Sequence, residues 1–259
     1  MLISETGVVL KQRKIAGNRR ILVVLTSNRG KLQIGTGANE NGKNKAALFT
    51  RPFTFANYSI FFNKGYYNLN SADVIKSYYK IGEDINRFLA ASDMLAYVDL
   101  ISPEEVPKNG IFNLVIEFLE NISEIKSGYA ILLYSFIIKS FRIEGIMPEI
   151  TLCTNCGKKV SLIKDEQKQI NNFSIENGGI LCQNCYNELK KSHLGDDENL
   201  ILSLDFDIVD TIKYLMENRF SQFKGISVGR ETSLEIKRFL SEYARYYLNI
   251  DIFGSNFEI

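Results

Sequence analysis

The chain has 259 residues, 45% of them hydrophobic, and a formal net charge of +1. It is long enough for two or three small units around real cores. Its longest apolar run, near Tyr129 to Ile138, ends at Lys139 and is too short for a bilayer, which argues against a membrane protein.

The near-neutral total hides an asymmetry. Residues 1–80 hold thirteen Lys and Arg against three acids, Glu5, Glu40 and Asp73, a net +10 that leaves −9 for the rest. A basic N-terminal unit points to a polyanion partner. Five strand-like stretches lie in this part. Val8-Val9-Leu10 opens the first, and Ile21 to Leu25 is a β-branched run. Lys31 to Ile34 follows a turn at Asn28-Arg29-Gly30. Phe53 to Phe62 and Tyr66 to Val74 complete the set. Five short strands with one polar loop, Gly35 to Lys45, predict a small barrel of the OB type.

From about Ile75 the apolar period becomes helical. Ile111, Leu114, Val115, Phe118, Leu119 and Ile122 predict one helix. Tyr129 to Phe141 predicts a second, closed by Gly145 and Pro148. Two more are expected from about Phe206 to Phe220 and from about Thr232 to Leu248. Their apolar stripes, Phe206-Val209-Ile212-Met216-Phe220 and Phe239-Leu240-Tyr243-Tyr247, should face cores. The expected fold class is α+β and multidomain. An OB-fold β-barrel over residues 1–78 is followed by a helical domain over 79–259, with a zinc module inserted at 150–190.

The four cysteines of the chain sit as Cys153-x-x-Cys156 and Cys182-x-x-Cys185, with 25 residues between the pairs. That spacing predicts a structural zinc site, closed by four thiolates and leaving no position for catalysis. Gly157 suits the turn of a metal knuckle, and Asn177-Gly178-Gly179 reads as a tight turn ahead of the second pair. Iron would suit the same sulfurs. Two disulfides would need an oxidising compartment, and Met1 to Lys14 lacks the pattern of a secretory signal, so a cytoplasmic setting is expected.

Catalytic patterns are thin. Gly37 to Asn44 nearly matches a phosphate-binding loop, but Asn44 supplies no hydroxyl for magnesium and a strand-like stretch soon follows. His193, the single histidine, lies in the polar stretch Lys190-Lys191-Ser192-His193 and reads as solvated. Asp196-Asp197-Glu198 reads as a solvated acidic loop. No enzyme is expected.

The order of modules resembles the RecO family of bacterial DNA recombination mediators. Three stretches carry the resemblance. One is the strand-rich start, Val8-Val9-Leu10-Lys11 through Arg20-Ile21-Leu22 to Gly30-Lys31. Another is Pro52-Phe53. The most specific runs from Glu144-Gly145-Ile146-Met147-Pro148 into Cys153-Thr154-Asn155-Cys156-Gly157, then Phe173-Ser174 and Gly178-Gly179-Ile180-Leu181-Cys182-Gln183-Asn184-Cys185. The resemblance implies a non-catalytic, nucleoid-associated protein that binds single- and double-stranded DNA and anneals complementary strands. It further implies loading of the RecA recombinase with RecR, contact with single-strand DNA-binding protein, and no cofactor beyond zinc.

For DNA, the candidate cations are Lys11, Arg13, Arg19, Arg20, Arg29, Lys31 and Arg51, which would neutralise phosphates. Aromatic candidates for base stacking are Phe53, Phe55, Tyr58, Phe61, Tyr66 and Tyr67. Odd numbering puts Phe53, Phe55 and Phe61 on one strand face, expected in the barrel core, and leaves Tyr58 as the exposed platform. The competing expectation is a zinc-stabilised protein-interaction module whose barrel ignores DNA.

Overall fold

The structure is a computed structural model that describes residues 1–15, 19–37, 46–160, 170–192 and 201–253. Its contacts divide the chain into two units, Met1–Ile125 and Lys126–Ile259.

The first unit is built on β1 (Leu2–Lys14), β2 (Arg20–Thr26), β3 (Gly30–Thr36), β4 (Phe55–Asn63) and β5 (Tyr66–Lys76). They close into a barrel in the order β1-β2-β3-β5-β4, the strand order of an OB-fold. Closure depends on β1 serving two neighbours. Residues Leu2 to Val8 pair with β4, and Gly7 to Lys14 pair with β2. A register shift between Val9 and Lys11 bends the strand from one partner to the other. The interior holds Ile3, Val9, Leu22, Val24, Leu32, Ile34, Ala56, Tyr58 and Ile60.

The expected facing of β4 is inverted. Its even residues Ala56, Tyr58 and Ile60 fill the barrel, and Phe61 is half-exposed on the other side. Phe55 also points outward, edge-on to Phe112 at 6.2 Å. Phe53 precedes the strand in a left-handed conformation, φ 68°, and meets Phe88 at 5.8 Å. Aromatics lie on both faces of β4, with Tyr58 inside, Phe61 half-exposed outside and Phe55 against one of two helices on the barrel exterior, so their alternation alone does not tell inside from outside.

Those helices are α2 (Ile85–Ile101) and α3 (Asn109–Ile122), after the short α1 (Ala46–Phe49). Asp84 caps α2 by accepting from the Arg87 N–H at 2.9 Å. Helix α2 was not anticipated, although Ala90, Ala91, Met94, Leu95, Val98 and Ile101 form its buried stripe. Helix α3 buries the six residues read from the sequence, with Phe112 added. The α2–α3 connection crosses the barrel at Gly30, where a Cβ would lie 2.1 Å from the Val106 carbonyl oxygen.

The second unit centres on α4 (Tyr129–Ile143), buried almost all round from Ile131 to Phe141. A small sheet of β6 (Ile170–Ser174), β7 (Gly179–Leu181) and β8 (Ile201–Asp205) runs in the order β7-β6-β8. Helices α5 (Gln183–Ser192), α6 (Phe206–Glu217) and α7 (Arg230–Leu248) complete it. An aromatic ladder seats the sheet on α7. Phe173 lies edge-on to Phe239 at 5.0 Å, and Phe239 stacks on Tyr243 at 5.6 Å. The Tyr243 hydroxyl then donates to the Ile146 carbonyl at 2.9 Å.

Among the described residues, no helix is long and apolar enough to cross a membrane. The near phosphate loop beyond Gly37, His193 and Asp196-Asp197-Glu198 lie outside the described residues.

Candidate metal centre and candidate nucleic-acid interface

The first cysteine pair is set by a tight knuckle. Leu152 and Lys159 form an antiparallel bridge, and the Cys153 N–H donates to the Lys158 carbonyl at 2.8 Å. The Gly157 N–H returns to the Cys153 carbonyl at 2.8 Å from a left-handed φ of 71°. The second pair sits where β7 ends and α5 begins. The Cys182 carbonyl accepts from the Tyr186 N–H at 3.0 Å, which places Cys182 at the N-cap of α5 and Cys185 in its first turn. The two halves are clamped by the Thr154 N–H on the Ile180 carbonyl at 3.0 Å. Gly179 allows the close approach, since a Cβ there would stand 2.5 Å from the Glu149 carbonyl oxygen.

All four Sγ atoms lie within 4.8 Å of one another, and the Cys156–Cys182 pair is 3.7 Å apart. A disulfide needs about 2.05 Å, and all four thiols are free. Four sulfurs at about 2.3 Å from a tetrahedral ion stand about 3.8 Å from each other. The cluster is therefore compatible with one metal ion. Cys153 and Cys185 are 1% and 5% exposed, whereas Cys156 faces solvent. Burial pushes the Cys153 thiol up, but the backbone N–H groups of Cys182, Cys156 and Asn155 outweigh it and bring it down to about 6. The Cys185 thiol moves the other way: Asn155 lowers it, but the neighbouring Cys182, Cys156 and Cys153 sulfurs and burial outweigh that and raise it.

The candidate DNA residues do not form one surface. Lys11 and Lys31 both pair with Asp99 of α2, the Lys31 ammonium at 3.0 Å. Burial raises the Asp99 carboxyl, but the two ammonium groups outweigh it and hold the carboxyl below its usual range. Arg29 pairs with Glu5 at 3.2 Å, and Arg13 donates to Gln33 at 3.2 Å. Arg20 is buried and donates to Gln12 at 2.9 Å. Tyr58, expected at the surface, is 0% exposed and donates its hydroxyl to the Phe49 carbonyl at 3.1 Å. Arg19 and Arg51 are exposed. Arg51 lines a cavity of ≈ 530 Å³ with Leu48, Phe53, Tyr79 and Phe88.

A larger groove, ≈ 910 Å³, runs over the outer face of β3. Lys31, Gln33 and Gly35 form its floor, because β3 turns Leu32 and Ile34 inward. Arg19, Arg20 and Ile21 line it from the start of β2, and Lys64, Tyr66 and Tyr67 from the β4–β5 hairpin. Of the candidate cations, the groove therefore gathers Arg19, Arg20 and Lys31, with Arg13 reaching its floor through Gln33. Lys64 was passed over in the sequence. The signal was Lys64-Gly65 between two strand-like runs, a two-residue turn with both φ positive, 49° and 83°. That turn carries exposed aromatics: Tyr66 is 74% exposed, and Phe62 packs on Tyr67 at 4.8 Å.

An OB-order barrel with a groove over β3, followed by a helical unit bearing four clustered sulfurs, is the architecture that places the chain in a class. The chain belongs to the recombination protein O (RecO) family. The family model described as Recombination protein O N terminal matches residues 1–78, and that described as Recombination protein O C terminal matches residues 82–256. Similar curated proteins carry the name DNA repair protein RecO. The one from Caldanaerobacter subterraneus is 25% identical over 255 residues, 98% of this chain and 96% of that protein. The one from Exiguobacterium sibiricum is 28% identical over 250 residues, 95% of this chain and 92% of that protein. Membership supports a role in DNA repair and recombination.

Proposed function

We propose that the chain is a non-catalytic recombination mediator that binds single- and double-stranded DNA and anneals complementary strands. It would assist RecA loading together with RecR, contact single-strand DNA-binding protein, and act in the cytoplasm at the nucleoid. The barrel of residues 1–78 is the DNA-binding domain in this reading, and residues 79–259 form the helical domain with the zinc module at 150–190.

The observation that carries the reading is the groove over β3, where Arg19 and Lys64 lie beside the exposed ring of Tyr66. Cations there would neutralise phosphates and release counterions. Aromatic faces would stack on bases without regard to sequence, as annealing demands. Cys153, Cys156, Cys182 and Cys185 would hold zinc as a structural ion, with no open position.

The test is fluorescence anisotropy of a labelled single-stranded oligonucleotide with the full chain across a salt series. Binding that weakens steeply with salt is expected. No binding at low salt by a folded chain would overturn the reading in favour of a protein-interaction module.

A further inference from the structure

The four sulfurs of the cluster differ in their access to solvent. Cys153 and Cys185 are 1% and 5% exposed and share a small apolar core with Leu181. Cys156 is exposed and Cys182 is half-buried. These two more open sulfurs lie 3.7 Å apart, so a disulfide between them needs a further approach of about 1.7 Å. They stand on opposite halves of the module, Cys156 in the first knuckle and Cys182 at the start of α5. Backbone bonds join those halves without using a sulfur. The Thr154 N–H donates to the Ile180 carbonyl at 3.0 Å, the Ile180 N–H to the Glu149 carbonyl at 2.9 Å, and the Glu149 N–H to the Gly178 carbonyl at 2.9 Å. An oxidant arriving from water therefore meets Cys156 first, with a second thiolate in reach beside it and two more shielded. An accessible thiolate next to a resolving cysteine is the arrangement that oxidation selects.

We propose that Cys156 and Cys182 are a site of oxidation by hydroperoxides, whose disulfide expels the metal ion while keeping the two halves of the module joined. The inference rests on the reading of the cluster as a zinc site and goes beyond it. The Cys156 thiolate attacks one peroxide oxygen, the O–O bond breaks, and the departing hydroxide takes a proton to become water. Cys156 is left as a sulfenic acid, oxidised by two electrons. The Cys182 thiolate then attacks the Cys156 sulfur. The S–S bond forms, the S–O bond breaks, and a second hydroxide leaves as water. Two thiolates, one hydrogen peroxide and two protons thus give one disulfide and two waters. Only Cys153 and Cys185 remain as thiolates, and two sulfurs do not fill the four positions of a tetrahedral ion. The new bond links positions 26 residues apart and takes over the tie that the ion supplied. Reduction by a thiol and return of zinc restore the cluster.

The experiment uses the full-length, reduced chain with zinc bound, which native mass spectrometry counts first. Hydrogen peroxide is added in steps without denaturant, and released zinc is read with a chromogenic chelator. Remaining thiols are then blocked and disulfides are mapped by peptide mass spectrometry. A parallel sample is alkylated with iodoacetamide. One zinc should leave per disulfide formed, with Cys156–Cys182 as the principal bridge. Cys156 should alkylate about tenfold faster than Cys153 or Cys185, or more. The oxidised chain should melt about 5 °C or more above a chain stripped of zinc by chelator and kept reduced. Bridges mainly within either CxxC pair or between Cys153 and Cys185, sulfinic acid at Cys156 without a bridge, or zinc retained by the bridged chain overturns the inference and leaves the structural ion standing. Equal melting of the bridged and stripped chains overturns the tie. A chain that holds no zinc before treatment overturns the zinc reading, and the disulfide map still decides the pairing of Cys156 with Cys182.

Discussion

Lys31 of β3 donates to Asp99 of α2 twice, to the carboxylate at 3.0 Å and to the backbone carbonyl at 2.6 Å. One lysine thereby fixes both the side chain and the backbone at the end of α2. Lys11 shares the same carboxylate. Two cations that sequence reasoning assigned to DNA instead hold a helix onto the outside of the barrel.

Asp99→Asn should accordingly destabilise the chain, by about 1–3 kcal/mol, as expected for a charge-assisted bond network. The sign of its pH dependence follows from the depressed Asp99 carboxyl. The stabilisation is present above the unfolded carboxyl value of about 3.9 and is lost as pH falls through the lower folded value. Denaturant melts of both proteins should differ by a constant amount at neutral pH and converge below about pH 4. A constant difference down to the lowest pH would contradict this account of Asp99.

A fragment ending at residue 78 should be much less stable than one ending at residue 125. Truncation removes Phe88 from Phe53, Phe112 from Phe55 and Asp99 from Lys31. Large apolar side chains on the barrel exterior would then face water, at about 1.5–3 kcal/mol each. Thermal melts of the two fragments decide it, and equal midpoints would show that the barrel does not depend on the helices.

Stripping metal from the purified chain, or replacing Cys153 and Cys156 with serine, should lower the thermal midpoint of the second unit by about 10 °C or more, because metal binding couples to folding. Mass spectrometry of the native protein should show one zinc per chain. A metal-free chain with unchanged stability would contradict a structural ion.

Reversing Arg19 and Lys64 to glutamate should weaken DNA binding and reduce the salt slope by about 1–2, one unit per lost phosphate contact. Substituting Arg20 or Arg29 is a poorer test. Arg20 is buried on Gln12 and Arg29 is tied to Glu5, so their loss would confuse folding with binding.

The four-cysteine cluster was legible because its information is local: two short CxxC spacings, each beside a glycine turn. The helical stripe of α3 was legible for the same reason, as were the five strands. The facing of β4 was not. Phe53, Phe55, Tyr58 and Phe61 are all large and aromatic, and Phe53 and Phe55 are taken up outside the barrel by Phe88 and Phe112, helix residues distant in sequence. The fate of the cations was hidden in the same way. Asp99 lies 68 residues from Lys31, and nothing near Lys31 announces its partner. Lys64 reached the groove through turn geometry rather than through charge clustering.

The most direct test of the central claim is photocrosslinking of the full chain to a single-stranded oligonucleotide bearing a photoreactive base, with crosslinked residues read by mass spectrometry. Crosslinks at Tyr66 or Tyr67 of the β4–β5 hairpin are predicted, since these rings border the groove over β3 and stack on bases in this account. Crosslinks confined to residues 126–259, with the hairpin untouched, would contradict it.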